Sequence, residues 1–138
     1  MGSLFVSCLQ PEETEMKRCF AVMVVGLFAS FPGIASAQDA AAGEKVFNQC
    51  KACHTIESGG PNRVGPNLHG VVGRKAASKE GFNYSDAMKN SGLTWDDASL
   101  DKYLADPKGA IPGNKMAFAG VKNEQARKDL IAFLKGNS

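Results

Sequence analysis

The pentapeptide Cys50-Lys51-Ala52-Cys53-His54 constrains this chain more than any other stretch. Two thiols three residues apart, followed at once by an imidazole, form the attachment signature of a c-type haem. On a helical turn Cys50, Cys53 and His54 share one face, because residues three and four apart are neighbours there. Both sulfurs can then form thioethers with the vinyl groups of one porphyrin while the imidazole reaches its iron. Two other chemistries use the same residue types. A redox dithiol belongs beside a strand-helix-strand pattern, whereas Val46-Phe47-Asn48-Gln49 ahead of Cys50 reads as helical. A structural zinc site needs four ligands, and His69, the other histidine, is not spaced as part of a second pair. The motif favours haem and leaves zinc and thiol chemistry as alternatives.

The 138 residues suffice for one domain, and residues 1–37 are not expected to belong to it. Met16-Lys17-Arg18 gives a positive start, and Phe20 to Phe31 is an almost unbroken apolar run. Pro32-Gly33 breaks it, and Ala35-Ser36-Ala37 supplies the small-x-small pattern of a secretory signal peptide cleaved after Ala37. An uncleaved anchor is the alternative, but an apolar run of about a dozen residues is shorter than the roughly 20 that span a bilayer. Glu12, Glu13 and Glu15 stand where a leader wants positive charge, so Met16 is the expected start. Export places the mature chain in the periplasm. Of the four cysteines, Cys8 and Cys19 leave with the leader, so only the motif's pair remains. An oxidising compartment requires that pair to be bridged or otherwise consumed, and two thioethers consume it.

From Gln38 to Ser138 the chain reads as one small domain. Without the leader, 14 basic and 11 acidic residues remain, a net charge of +3. A domain this short has a thin apolar core, which a buried flat macrocycle would fill. Apolar spacing predicts a first helix over about 39–48, with Gly43, Val46 and Phe47 on one face. Gly43 either lets that helix cross another closely or is a plain helix-start glycine. Thr94-Trp95-Asp96-Asp97 predicts the opening of a second helix, carrying Leu100, Tyr103 and Leu104 and ending at Pro107. A last helix starts at the N-cap Asn123, with Ala126, Leu130, Phe133 and Leu134 as its stripe and Gly136 as its stop. A short helix is expected over 85–90. Residues 58–73 and 108–120 read as glycine- and proline-rich loops, long enough to require something to wrap. No alternating strand pattern competes, so the fold class is all-α.

In this order the segments resemble class I c-type cytochromes, a family that includes mitochondrial cytochrome c and small bacterial periplasmic proteins. The resemblance covers essentially all of 38–138. It rests on Gly43-Glu44-Lys45-Val46-Phe47, Cys50-Lys51-Ala52-Cys53-His54-Thr55, Gly65-Pro66-Asn67-Leu68-His69-Gly70 and Gly73-Arg74-Lys75. It continues through Leu93-Thr94-Trp95, Tyr103-Leu104, Ile111-Pro112-Gly113-Asn114-Lys115-Met116, Phe118-Ala119-Gly120 and Asp129-Leu130-Ile131-Ala132-Phe133-Leu134-Lys135. It implies a small cytochrome c fold, three main helices with short helices and long loops wrapped around one covalent haem c. The activity implied is one-electron transfer, with no catalysis.

The family also implies a sixth iron ligand. Chemistry alone offers Met88, Met116 and His69, since methionine is more often core filler. The resemblance selects Met116, in a loop able to fold back over a haem face, and makes His69 a surface histidine. By the same resemblance the Pro66 carbonyl orients His54, Tyr103 lies beside the Met116 sulfur, and Arg74, Tyr84 and Trp95 satisfy the haem propionates. Three departures stand out. Cys50 follows Phe47 by three residues, as in the bacterial branch; Asn114 stands where threonine is frequent; Met88 replaces a buried asparagine.

Lys45, Lys51, Arg63, Lys108, Lys115 and Lys122 would ring the exposed haem edge in this fold and steer the protein to acidic faces of redox partners. The expected role is that of a soluble, monomeric periplasmic carrier between a cytochrome bc-type complex and a terminal oxidase or other acceptor. A dedicated haem subunit of one enzyme and a gas-binding cytochrome with an open iron are the competing readings. Diluted basic charge and the lack of a groove-reading motif argue against nucleic-acid binding.

Overall fold

A computed structural model describes residues 38–138; the expected leader, residues 1–37, lies outside the described residues. Five helices follow in order: α1 Ala40–Phe47, α2 Asp86–Lys89, α3 Asp97–Ala105, α4 Pro107–Ala110 and α5 Glu124–Lys135. Three are long and two are single turns, joined by extended loops. Among the described residues the one strand-like pairing is an isolated antiparallel bridge between Lys75 and Thr94. No helix among them is long and apolar enough to cross a membrane.

Each helix begins where a short polar side chain can take the orphan amides of a first turn. Asp39 accepts from Ala41 and Ala42, Ser85 from Met88, Asp96 from Ser99, Asp106 from Gly109 and Asn123 from Ala126. Short helices are marginal alone, so packing must hold them. The central contact is α1 against α5. Phe47 and Leu130 are each 1% exposed, and burial of such a side chain contributes roughly 1.5–3 kcal/mol. The rings of Phe47 and Phe133 lie 5.2 Å apart. Gly43 makes the approach possible: a Cβ there would overlap the Asp129 carbonyl oxygen and sit 2.8 Å from the Phe133 Cβ. The close-crossing reading of this glycine is therefore the one that applies. The buried Asp129 carboxylate accepts the Asp39 backbone N–H at 2.9 Å and the Gln125 amide at 2.8 Å, fastening the start of α1 onto α5.

α3 joins this pair through Arg127. Its guanidinium donates to Asp101 at 2.7 Å and also to the carbonyls of Val121 and Lys122. One side chain thus ties α5 to α3 and to the segment entering α5. That segment closes at Gly120, whose φ of +92° suits glycine. The next residue, Val121, donates to the Leu104 carbonyl at 2.7 Å.

Two sequence expectations need correction. Thr94 does not open the second helix. It pairs with Lys75, while Trp95 donates to the Arg74 carbonyl, so the cap falls on Asp96. Pro107 does more than end α3: it is the first residue of α4, where its missing N–H costs nothing. Part of the expected 108–120 loop is accordingly helical. Gly136 stops α5 as expected, though at φ −68° and so without the left-handed turn that favours glycine.

Gly43→Ala separates helix propensity from packing. On an exposed helix face the exchange would stabilise by about 1 kcal/mol. Here the added carbon meets backbone that no rotamer can move, so a loss of about 3 kcal/mol or more is expected. Thermal or denaturant unfolding measures it, and an unchanged midpoint would show that α1 and α5 separate freely.

Candidate cofactor site

A cavity of about 430 Å³ opens between the α1–α5 pair, α3 and the loops. Its size suits a cofactor-sized ligand, and its wall is mainly apolar, with Phe47, Leu68, Val71, Leu100, Leu130 and Leu134 among the contributors. Cys50, Cys53 and His54 line it, as do Met116 and Phe118.

The turn after α1 positions the first three. Cys50 N–H bonds to Phe47, and the amides of Cys53 and His54 both bond to the Cys50 carbonyl. The imidazole Nδ1 lies 2.7 Å from the Pro66 carbonyl. A carbonyl can only accept, so Nδ1 carries the proton and Nε2 keeps a lone pair for a Lewis acid. Burial lowers the His54 pKa and outweighs the opposing bond to Pro66. The ring is therefore neutral at pH 7, the form that ligates metal. Gly65 backs it closely, since a Cβ there would fall 2.6 Å from Nδ1.

The loop that carries Pro66 is fastened by amides that spacing does not reveal. Asn67 is fully buried, and its Nδ2 donates to Thr55 Oγ1 at 2.7 Å and the Glu57 carbonyl at 3.1 Å. Its Oδ1 accepts from His69 N–H. Asn62 accepts from the Asn67 N–H at 2.9 Å and donates to the Glu80 carbonyl at 3.0 Å, bridging two loops. The only prior signal was the position of Asn67 within the Gly65–Gly70 stretch.

Of the propionate candidates, Arg74, Tyr84 and Trp95 all line the cavity. Arg74 donates to the carbonyls of His69 and Asn67, which leaves further guanidinium donors. His69 itself is absent from the cavity wall and lies partly buried beside Arg74. The Tyr103 hydroxyl donates to the Met116 sulfur at 3.5 Å, and the Tyr103 ring packs 4.9 Å from Trp95. Met88 is buried on α2 and also contributes to the wall.

The donor set decides among the chemistries left open by the motif. Burial, reinforced by Cys53, pushes the Cys50 thiol up to about 11. A redox dithiol needs the opposite, a thiolate stabilised near neutral pH. Among the described residues no three or more His, Cys, Asp or Glu side chains cluster as a metal ion would require, so a four-ligand zinc site lacks its donors. A neutral imidazole, two thiols and a thioether around a large apolar cavity instead fit a porphyrin and its iron.

An all-α chain arranged in this way is the scaffold of a c-type haem protein. Residues 40–138 match the model of the family described as Cytochrome c. The chain is 54% identical over 115 residues to cytochrome c2 of Blastochloris viridis, covering 82% of this chain and 91% of the relative. It is 60% identical over 99 residues to cytochrome c2 of Rhodomicrobium vannielii, covering 72% and 79%. Among solved structures, cytochrome cH from Methylobacterium extorquens superposes with a TM-score of 0.68 at 55% identity, covering 71% of this chain and 98% of that one. The chain belongs to the cytochrome c family, electron-transfer proteins that carry one covalently attached haem c and are not enzymes.

The site's two tyrosines, the only ones in the sequence, allow a direct test of its electrostatics. Burial pushes Tyr103 up to about 12, and Tyr84 is also raised by burial, opposed by Arg74. The folded chain then holds a phenolic proton that the unfolded chain loses near pH 10, so this contribution to stability falls as pH rises from about 10 to 12. Absorbance titration should show tyrosinate forming late, and Tyr103→Phe should remove the later step. A wild-type titration completed near pH 10 would contradict the buried phenol.

Proposed function

We propose that Cys50 and Cys53 would hold the haem through two thioethers and that His54 and Met116 would ligate its iron. Each thiol would be consumed by adding its S–H across a vinyl double bond, without net oxidation or reduction. The carrying observation is that one apolar cavity is lined by His54, oriented by Pro66, and by Met116, which accepts a hydrogen bond from Tyr103. Bound haem supplies a one-electron iron couple.

The residues around it set the conditions for that couple. Pro66 fixes the imidazole's tautomer and orientation, and Tyr103 holds the sulfur by one hydrogen bond. A thioether partner to imidazole raises the potential. With His54 and Met116 both bound to it, the iron would have no place left for a substrate, which would leave electron transfer as the chemistry. Arg74, Tyr84 and Trp95 are the partners for the propionates, supported by their shared place in the cavity wall.

The working role is a soluble periplasmic carrier that passes single electrons from a cytochrome bc-type complex to a terminal oxidase or other acceptor. The leader pattern in residues 1–37 supports export, and likeness to cytochromes c2 supports a diffusing carrier. Lys45, Lys51, Arg63, Lys108, Lys115 and Lys122 are all exposed and form the proposed docking set. Lys115 borders the cavity, and Arg63 donates to the backbone carbonyl of Lys51, the residue after Cys50. Lys108 and Lys122 donate to backbone carbonyls and keep their charge.

Two measurements test this reading. Ferric holoprotein should show the sulfur-to-iron charge-transfer band, lost in Met116→Ala and kept in Met88→Leu; the reverse result rejects Met116 as ligand. Reduction of the holoprotein by isolated membranes should slow as ionic strength rises past about 0.1 M, where the Debye length falls to about 10 Å. A salt-independent rate would reject the docking set.

A further inference from the structure

The segment that carries Met116 is held from within by Asn114. That side chain is 4% exposed, although asparagine is usually found at the surface. Its Nδ2 donates to the carbonyls of Pro107 at 2.6 Å and Ile111 at 2.8 Å, at the two ends of α4. Its Oδ1 accepts the Met116 backbone N–H at 2.9 Å. Its own N–H donates to Ile111 at 3.1 Å, and its carbonyl accepts from the Lys108 ammonium at 2.6 Å. Among the described residues, every hydrogen bond made within Pro112–Ala119 runs through Asn114 or Met116.

We infer that Asn114 is the positioning residue for the Met116 sulfur, a carboxamide latch between α4 and the Met116 backbone. The chemistry requires this residue type. The latch needs two donors on one side and an acceptor on the other, which a planar carboxamide supplies at fixed separation. A hydroxyl has a single donor and a shorter reach, and a carboxylate has no donor for the two carbonyls. Leaving a buried donor or acceptor unmatched is costly, so the arrangement with all three bonds made is strongly selected over looser ones. Tyr103 then needs to hold only the sulfur end of a side chain whose backbone is already fixed. This rests on the reading of Met116 as an iron ligand.

Imidazole binding to the ferric holoprotein tests the inference, because added imidazole can bind the iron only when the sulfur has left. Asn114→Ala should bind imidazole at least tenfold more tightly than the unaltered protein and show a weakened sulfur-to-iron band. Asn114→Ser, which keeps a short hydroxyl, should shift affinity in the same direction by at least threefold. Ile111→Val trims an apolar side chain of the same buried segment and keeps the backbone carbonyl the latch uses; it should lower the thermal midpoint and leave imidazole affinity unchanged. Wild-type affinity in whichever asparagine variant folds overturns the inference, as does an equal shift in Ile111→Val. Hydrogen exchange on the unaltered holoprotein gives a measurement free of folding defects. Saturation with imidazole should speed exchange of the Met116 amide at least tenfold, and an unchanged rate overturns the latch. Absence of the sulfur-to-iron band from the unaltered protein would instead defeat the ligand assignment itself.

Discussion

The approach of α1 to the Asp129 carbonyl at Gly43 is the contact on which the rest depends. A chain of this length cannot surround a large cavity with a thick core, and its single-turn helices cannot stand alone. Bringing the first and last helices together at backbone distance closes the structure with few residues. Phe47 and Leu130 then serve both as the packing between those helices and as part of the cavity wall. The turn carrying Cys50, Cys53 and His54 leaves directly from α1, so the helix crossing also sets where the imidazole can point.

Polar groups inside this shell follow a consistent rule. Asn67 and Asn114 are buried with their side-chain amides hydrogen-bonded, and among the described residues no buried side-chain nitrogen or oxygen lacks a partner. Each stabilises a loop that has no ladder of its own, one leading to Pro66 and one to Met116. Loops without regular structure normally lie at the surface because their backbone needs water. Here carboxamides take the place of that water. The environment also governs proton positions: burial keeps the His54 ring neutral and the Cys50 thiol protonated.

The sequence is most readable where its signals are local. The Cys50–His54 spacing lies within one turn, and the stripes of α1, α3 and α5 repeat at three and four residues with polar caps beside them. Misreadings arise where a residue has two local meanings. Proline both stops a helix and starts one, so Pro107 looks like an end while serving also as a beginning. Thr94 carries a cap pattern, but a distant pairing with Lys75 claims its backbone and moves the cap to Asp96. The surroundings of His54 and Met116 depend on partners 12 and 13 residues away, beyond any periodic pattern. Family likeness pointed to Pro66, Tyr103 and Arg74. The same likeness marked Asn114 as a departure from threonine, whereas the amides of Asn62 and Asn67 had no such pointer, because their partners are mostly backbone carbonyls and amides that any sequence supplies.

The bridge made by Asn62 joins two loops without any titrating group. Its carboxamide accepts from Asn67 and donates to Glu80 without ever gaining or losing a proton. An imidazole in that place would change charge between about pH 5 and 8, and the join between the two loops would loosen or tighten with it. With an amide there, the join beneath Pro66 keeps the same donors and acceptors at any pH at which the chain is folded.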